Sequence, residues 1–490
     1  MIIQLAFLLA ADAAAGPATI LVAPFTVKGG AKPWAGMAVA ESMLDVVVQA
    51  NRDNFLTLKQ LDAVLRRRDL RLDDPKVRAD AVDLARALGA TDLITGEVRL
   101  EGGSWSIDAA RVRVADGSIV DTAKAEGPAA ALPAIAQKLG RALLGVEGTD
   151  APVTKDVKAL ELATRCEAQL ARQPLGSHAK MTISAQRLEE AEQQCNGALA
   201  VDPKFALARA GLAVTLAARG KFAEARKEAE RARQDRFVPL AVLAEAYAIR
   251  RMHEPVAWRA LLEKTVEERP GFLQALGNLA EDLMERGEDR ESLELFDRYL
   301  ERSPNNPWAM GRKARQLAKL KIFDEAIELS ERALRLNPGD PELLIETASR
   351  YLDAGRDPRA EPLLKQAMAA TPPRPQAALR LGYLYMRSHK LSQARATLEK
   401  CLHMAARRED EARTRGLAHA DLARIDARQN KYASAIAELH KARSEGINRL
   451  PCNEPELSRW KDRPELKRLC IESTDAATND DTDEDLPVDL

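Results

Sequence analysis

The chain has 490 residues, of which 30% are charged and only 4% aromatic. That length exceeds a single compact core and implies two or more units, and so few aromatics suit an alanine-rich helical array better than a large β-rich core. Lys and Arg total 73 against 74 Asp and Glu, so the balance excludes a global electrostatic case for nucleic acid or an anionic membrane.

In chain order, "MIIQLAFLLAADAAAG" is apolar and ends in Ala13-Ala14-Ala15 before Gly16. The run is too short to span a bilayer and carries an A-x-A site. Residues 1–15 are therefore expected to be a secretory signal, with a periplasmic or secreted mature protein. No Lys or Arg precedes the run, and the alternative is a cytoplasmic chain that begins with an apolar strand or helix. No cysteine follows it to carry a lipid, and no later stretch has the length of a transmembrane helix, so membrane association is peripheral at most.

Residues 18–145 read as an α+β domain. "ATILVAPFTV" is a β-branched apolar run expected to be a buried strand, and "NFLTLKQ" a second one. "AGMAVAESMLDVVVQA" and "RADAVDLARALGA" have apolar residues at helical spacing, the latter ending at Gly89 as a C-cap. Three alternating runs follow, "TDLITGEVRL", "SWSIDAARVRV" and "SIVDTAKA", separated by Gly102-Gly103 and Asp116-Gly117. These predict an antiparallel three-stranded meander, closed by a helix at "ALPAIAQKLGRALLG". "ILVAPF" followed by "DLARALGATDLITGEVRLEGGSWSIDAARVRVADGSI" resembles the amino-terminal domain of TolB and its FlgO- and CsgG-like relatives. The resemblance covers most of residues 18–145 and implies a non-catalytic docking domain. It departs from TolB in having no β-propeller after it, and from TolB-like signalling proteins in having no output domain before it.

From residue 155 to 445 a period takes over. Pro270, Pro304, Pro338 and Pro372 are each 34 residues apart. Small residues keep the same step, as Ala280, Ala314, Ala348 and Gly382, and again as Ser292, Ala326, Ala360 and Ala394. A third series is mostly bulky, Phe296, Ser330, Leu364 and Leu398, and a fourth runs Tyr299, Ala333, Ala367 and Cys401. In "RLNPGDPELL" Asn337 and Pro338 stop one helix, Asp340 caps the next and Pro341 takes its first position. This is the pattern of tetratricopeptide (TPR) repeats. About eight helical hairpins are expected, with Ala213, Ala225, Ala232, Ala246 and Trp258 carrying the pattern upstream. Gly382 to Ala423 is seven residues longer than the period, about two helical turns, so a helix lengthened through "HMAARREDEART" would keep phase. The fold class is then an α+β amino-terminal domain followed by an all-α TPR solenoid, a right-handed superhelix of helical hairpins.

The TPR resemblance implies a groove lined by the first helix of each repeat, which selects Asn278, Trp308, Arg312, Arg315, Lys319, Arg380, Tyr383 and Arg387. Glu281 and Glu346 occupy equivalent positions, and Glu342 and Asp353 lie on the same repeat as Glu346. Arg312, Arg315 and Arg380 would grip an acidic segment, with Trp308 and Tyr383 as anchors. The alternative is that these charges pair across repeats and solvate the groove. A chaperone-type carboxylate clamp is not matched, because Gly311 and Arg315 stand where it needs lysine and asparagine.

Catalytic patterns are weak. "SHAK", Ser177 to Lys180, fits S-x-x-K without its partner motifs, and "KGGAKPWAG", Lys28 to Gly36, lacks the spacing of a phosphate loop. His389, His403, His419 and His440 cluster in sequence near Cys401, but not at zinc spacing. No enzyme activity, cofactor or metal is expected. Cys166 and Cys195 are centred near residue 180, and Cys452 and Cys470 on Lys461, each about a helical turn-around. Two local disulfides in an oxidising compartment follow, with Cys401 left over; the alternative is four small buried thiols. Residues 446–471 are expected to cap the array, and the acidic residues 472–490 to form a disordered tail. The function expected is a non-catalytic interaction scaffold of the bacterial envelope that binds a protein or peptide. The alternative is a cytoplasmic signalling adaptor whose output domain lies on another chain.

Overall fold

The computed structural model describes residues 17–67, 70, 77, 79–147, 152–170, 184–370, 374–405, 411–448, 450–452 and 454–470. The apolar run 1–15, Ser177 to Lys180 and the acidic tail 472–490 lie outside them. Contacts divide the chain into two compact units that part between Ala309 and Met310.

In the first unit, the run read as one strand is two, β1 (Thr19–Val22) and β2 (Thr26–Gly29). Pro24 separates them, since proline cannot donate to a ladder. β1 pairs in parallel with both β3 (Asn54–Leu56) and β4 (Asp92–Glu101), and β2 also pairs in parallel with β4. β4, β5 (Ser104–Arg113) and β6 (Ile119–Pro128) form the antiparallel meander. Gly102 and Gly103 turn the first hairpin with φ of 58° and 79°, where a side chain would be strained. The sheet order is β3-β1-β4-β5-β6, with β2 beside β4.

Alternation along the strands supplies both faces of the sheet. Ile20, Val22, Ile94 and Val98 join the core with α1 (Trp34–Ala50) and α4 (Leu132–Leu144). Leu21, Ala23, Leu93 and Val112 join α2 (Leu58–Arg67) and α3 (Ala81–Ala87). The expected strand "NFLTLKQ" stops at Leu56, because Thr57 opens α2 with a capping box. The Gln60 N–H donates to Thr57 Oγ1 at 3.3 Å while the Thr57 N–H donates to Gln60 Oε1 at 2.9 Å.

Sixteen described helices then pair as eight hairpins. They are α5 (Val157–Leu170) with α6 (Ala185–Val201), α7 (Ala206–Ala218) with α8 (Phe222–Asp235), α9 (Pro239–Arg251) with α10 (Pro255–Glu268), and α11 (Leu273–Glu285) with α12 (Asp289–Arg302). Next come α13 (Pro307–Lys319) with α14 (Phe323–Leu336), α15 (Pro341–Asp353) with α16 (Asp357–Met368), α17 (Pro375–Arg387) with α18 (Leu391–Ala405), and α19 (Ala412–Arg428) with α20 (Tyr432–Ser444). Local chemistry sets their ends. Asp340 accepts from the N–H groups of Glu342 and Leu343 at 2.9 and 3.2 Å, and Pro341 opens α15.

The periodic small residues are buried where two helices cross. Ser292 donates its hydroxyl to the Ala280 carbonyl at 2.8 Å, and a Cβ on Gly382 would lie 2.7 Å from Leu398. α18 has 15 residues and α19 has 17, where α17 has 13; of the segment in which the seven-residue excess is expected to lengthen a helix, residues 406–410 lie outside the described set. In the second unit Ile447, Leu450, Leu457, Trp460, Leu466 and Leu469 cover the apolar side of α19 and α20, closing the last repeat's exposed core.

Candidate protein-interaction face

Within the first unit the array is already occupied by the chain itself. The core on α1 and α4 continues without a break into Val242, Leu243, Phe272, Leu276 and Phe296 of the hairpins. Edge strand β3 is fastened to two inter-repeat turns. Asn54 Nδ2 donates to the Arg302 carbonyl at 2.7 Å, Arg302 Nε donates to Asn54 Oδ1 at 2.9 Å, and the Phe55 N–H donates to the Gly271 carbonyl at 3.3 Å. Phe55 stacks on Phe272 with ring centroids 5.4 Å apart. The Arg236 guanidinium grips the Asp45 carboxylate on α1 with both nitrogens, at 2.7 and 2.5 Å. Gly89 meets Asn306 so closely that a Cβ would lie 2.6 Å from its Cα. The amino-terminal domain is thus packed against its own repeats.

This packing decides the fate of the first groove candidates. Asn278 is buried, as is every residue of α11 from Leu273 to Met284. Trp308 is half-buried against Tyr299, at 5.6 Å between centroids, and against Phe296, at 6.4 Å.

The second unit supplies the open face. Its first helices α15, α17 and α19 share one side, because Arg380 on α17 feels the charges of Asp353 and Arg350 on α15 and of Asp421 on α19. Desolvation lowers the Arg380 pKa from its usual value, with Asp353 opposing the shift. The side chain is nevertheless exposed, and among the described residues no ion pair holds it. Tyr383, one turn further along the same helix, is 40% exposed. Residues three apart on a helix share a face, so the cation and the aromatic ring stand side by side.

The neighbouring charges are spoken for. Arg387 pairs with Asp357 at 3.4 Å and donates to the Leu352 carbonyl at 3.0 Å, tying α17 to the end of α15. Arg350 pairs with Asp353 at 3.0 Å, and Arg424 bridges Asp421 and Glu454, both at 2.7 Å. Glu346 fills the space that a side chain at Gly311 would take. Arg312, Arg315 and Lys319 each already engage other residues of the chain. Asp421 and Arg424 belong to this face and escaped the sequence reading, because the extra residues before α19 shift the repeat register by which such positions are counted.

The cysteines fall into place around these elements. Cys166 and Cys195 are disulfide-bonded across α5 and α6 with Cα atoms 5.5 Å apart, and Cys452 and Cys470 clasp the closing segment at 6.0 Å. Cys401 is buried and free, its thiol pushed up to about 12 by burial, and it donates to the Pro375 carbonyl at 3.2 Å. His419 pairs with Glu438 at 2.6 Å. Among the described residues no group of three or more His, Cys, Asp or Glu could hold a metal ion, and no helix is long and apolar enough to cross a membrane.

Stacked antiparallel hairpins with small residues at the crossings define a helical-repeat protein. The chain carries tetratricopeptide repeats: family models of that repeat match residues 183–239, 278–341 and 351–414. Such repeats generally build protein-interaction scaffolds, and these models describe no enzyme. No curated protein matches the chain by sequence. Among solved structures it is similar to a tetratricopeptide repeat protein from Parabacteroides merdae, at 14% identity and a TM-score of 0.37, covering 65% of this chain and 99% of that one. It is also similar to yeast Tom70, at 15% identity and a TM-score of 0.45, covering 68% and 67%. A third is YrrB, described as a TPR protein with an unusual peptide-binding site, at 20% identity and a TM-score of 0.26, covering 33% and 84%.

Proposed function

We propose that the chain is a non-catalytic interaction scaffold of the bacterial cell envelope, and that it takes an acidic peptide or partner helix along the α15–α17–α19 face. The observation that carries this reading is the pairing of Arg380, exposed and among the described residues without an ion-pair partner, with exposed Tyr383 one turn away. Arginine suits carboxylates because its planar fork binds them in two places, and a neighbouring aromatic supplies the apolar anchor typical of binding hot spots. Export is supported by the apolar leader with its A-x-A site and by the two disulfides, which persist in oxidising compartments. The TolB-like resemblance suggests further docking through the amino-terminal sheet. Its β3 edge is covered by the repeats, so β6, with Ile119 and Val120 exposed, is the edge available for that purpose.

The test is selection from a displayed library of acidic, basic and neutral peptides on the full-length protein. Acidic sequences should be enriched, and their binding should weaken as salt rises. Arg380→Ala and Tyr383→Ala should each cost about 1–2 kcal/mol with helicity unchanged. Enrichment of basic peptides, or variants that bind like the parent, would remove this face from consideration.

A further inference from the structure

A second site lies in the first unit, where the amino-terminal domain meets the repeats. A cleft of about 60 Å³ is walled by apolar side chains, among them Leu207, Leu240 and Leu243 from α7 and α9. Three charged side chains also line it: Glu41 of α1, Lys59 of α2 and Glu167 of α5. Glu167 is only 8% exposed, and among the described residues neither its carboxylate nor that of Glu41 has a hydrogen-bond partner. A buried carboxylate without donors loses its hydration with only the charge of Lys59 to offset the loss, so Glu167, with the half-buried Glu41 beside it, calls for a ligand.

The charge count says which kind. Asp45, the other acid near Glu41, has its own partner in the two-point grip of Arg236. The wall residues from α7 and α9 carry no charge. When both carboxylates are ionised, Glu41 and Glu167 stand against Lys59 in the lining, one negative charge in excess. We infer that the cleft binds a primary alkylammonium group, the head of a free amine or the side chain of a lysine. Its single charge balances the site, its three N–H donors serve two acceptor-only carboxylates, and its alkyl stem lies along the leucines. The volume fits a head group and a few methylenes, since one water needs roughly 10–15 Å³ by the same measure. A divalent metal fits poorly, because it would want more oxygen ligands than two carboxylates provide.

Protons compete for the same place. Burial foremost, and then Asp45, push Glu41 up to about 7 against the pull of Lys59, and burial raises Glu167 as well. An alkylamine stays protonated throughout this range. Binding should therefore tighten as the pH rises from 6 to 8.

The experiment is calorimetric titration of the full-length protein at pH 6 and pH 8, at constant ionic strength. The probes are n-butylammonium chloride and the capped tripeptide acetyl-Gly-Lys-Gly-amide; n-butanol and sodium butyrate are the controls. The expected result is binding of an ammonium probe, about tenfold tighter at pH 8, with both controls inert. Glu167→Gln and Glu41→Gln should each weaken it at least about tenfold while leaving the circular dichroism unchanged. Tighter binding of n-butylammonium would point to a free amine, and tighter binding of the tripeptide to a lysine-bearing segment. Equal binding of n-butanol, unchanged affinity in both variants, or no binding of either ammonium probe would overturn the assignment. None of these outcomes bears on the Arg380 face, which is on other helices.

Discussion

Asn54→Ala should loosen the amino-terminal domain from the repeats. Asn54 is fully buried, and its side-chain amide both donates to the Arg302 carbonyl at 2.7 Å and accepts from Arg302 Nε at 2.9 Å. The first of these bonds is worth about 1 kcal/mol net, and the second, to a charged donor, about 2 kcal/mol. Alanine keeps the strand extended but leaves the Arg302 groups unpaired, so the total loss is about 3 kcal/mol, or about a hundredfold in an opening equilibrium. The assay is native-state hydrogen exchange of the Phe55 amide, whose partner is the Gly271 carbonyl. Its protection should fall about a hundredfold, with amides of α17 and α20 as internal reference. A change of less than about threefold would refute the reasoning: β3 would then not depend on the repeat turns for its protection.

Other expectations follow from the same contacts. Gly89→Ala combines a φ of +74° with a Cβ 2.6 Å from Asn306 Cα, and should cost the first unit about 2–3 kcal/mol in urea unfolding. Because Glu41 is raised from its ordinary 4.5 to about 7, the folded state holds the extra proton between those values. Its contribution to stability therefore declines as the pH rises from about 4.5 to 7 and is level above. Glu41→Gln should remove that slope and stabilise the first unit by about 2 kcal/mol at pH 8, read from melting curves across pH. Reduction, or Cys452→Ser with Cys470→Ser, should weaken the cap over α19 and α20 by about 3 kcal/mol or less, measured by proteolysis after residue 446. Non-reducing peptide mapping that finds five free thiols would instead overturn both pairings and the oxidising compartment with them.

The sequence by itself determined what is repeated and what is local. The 34-residue step placed Ala280, Ala314, Ala348 and Gly382 at helix crossings, and Asp340 with Pro341 at a helix start, because each rests on contacts within a hairpin or a turn. The alternating runs from Asp92 to Pro128 specified the meander for the same reason, neighbours in sequence being neighbours in the sheet. The tertiary structure decided the rest. The apolar run "NFLTLKQ" predicts one strand, whereas the reciprocal bonds of Thr57 and Gln60 end β3 at Leu56 and start α2. The parallel order of β3, β1 and β4, the burial of Asn278, and the meeting of Glu41 with Lys59 and Glu167 join elements far apart along the chain. A periodic pattern says which side of a helix is apolar, and nothing of what covers it. On α11 that cover is the rest of the first unit, whereas on α17 it is solvent at Arg380 and Tyr383, and only the packed chain could tell these two faces apart.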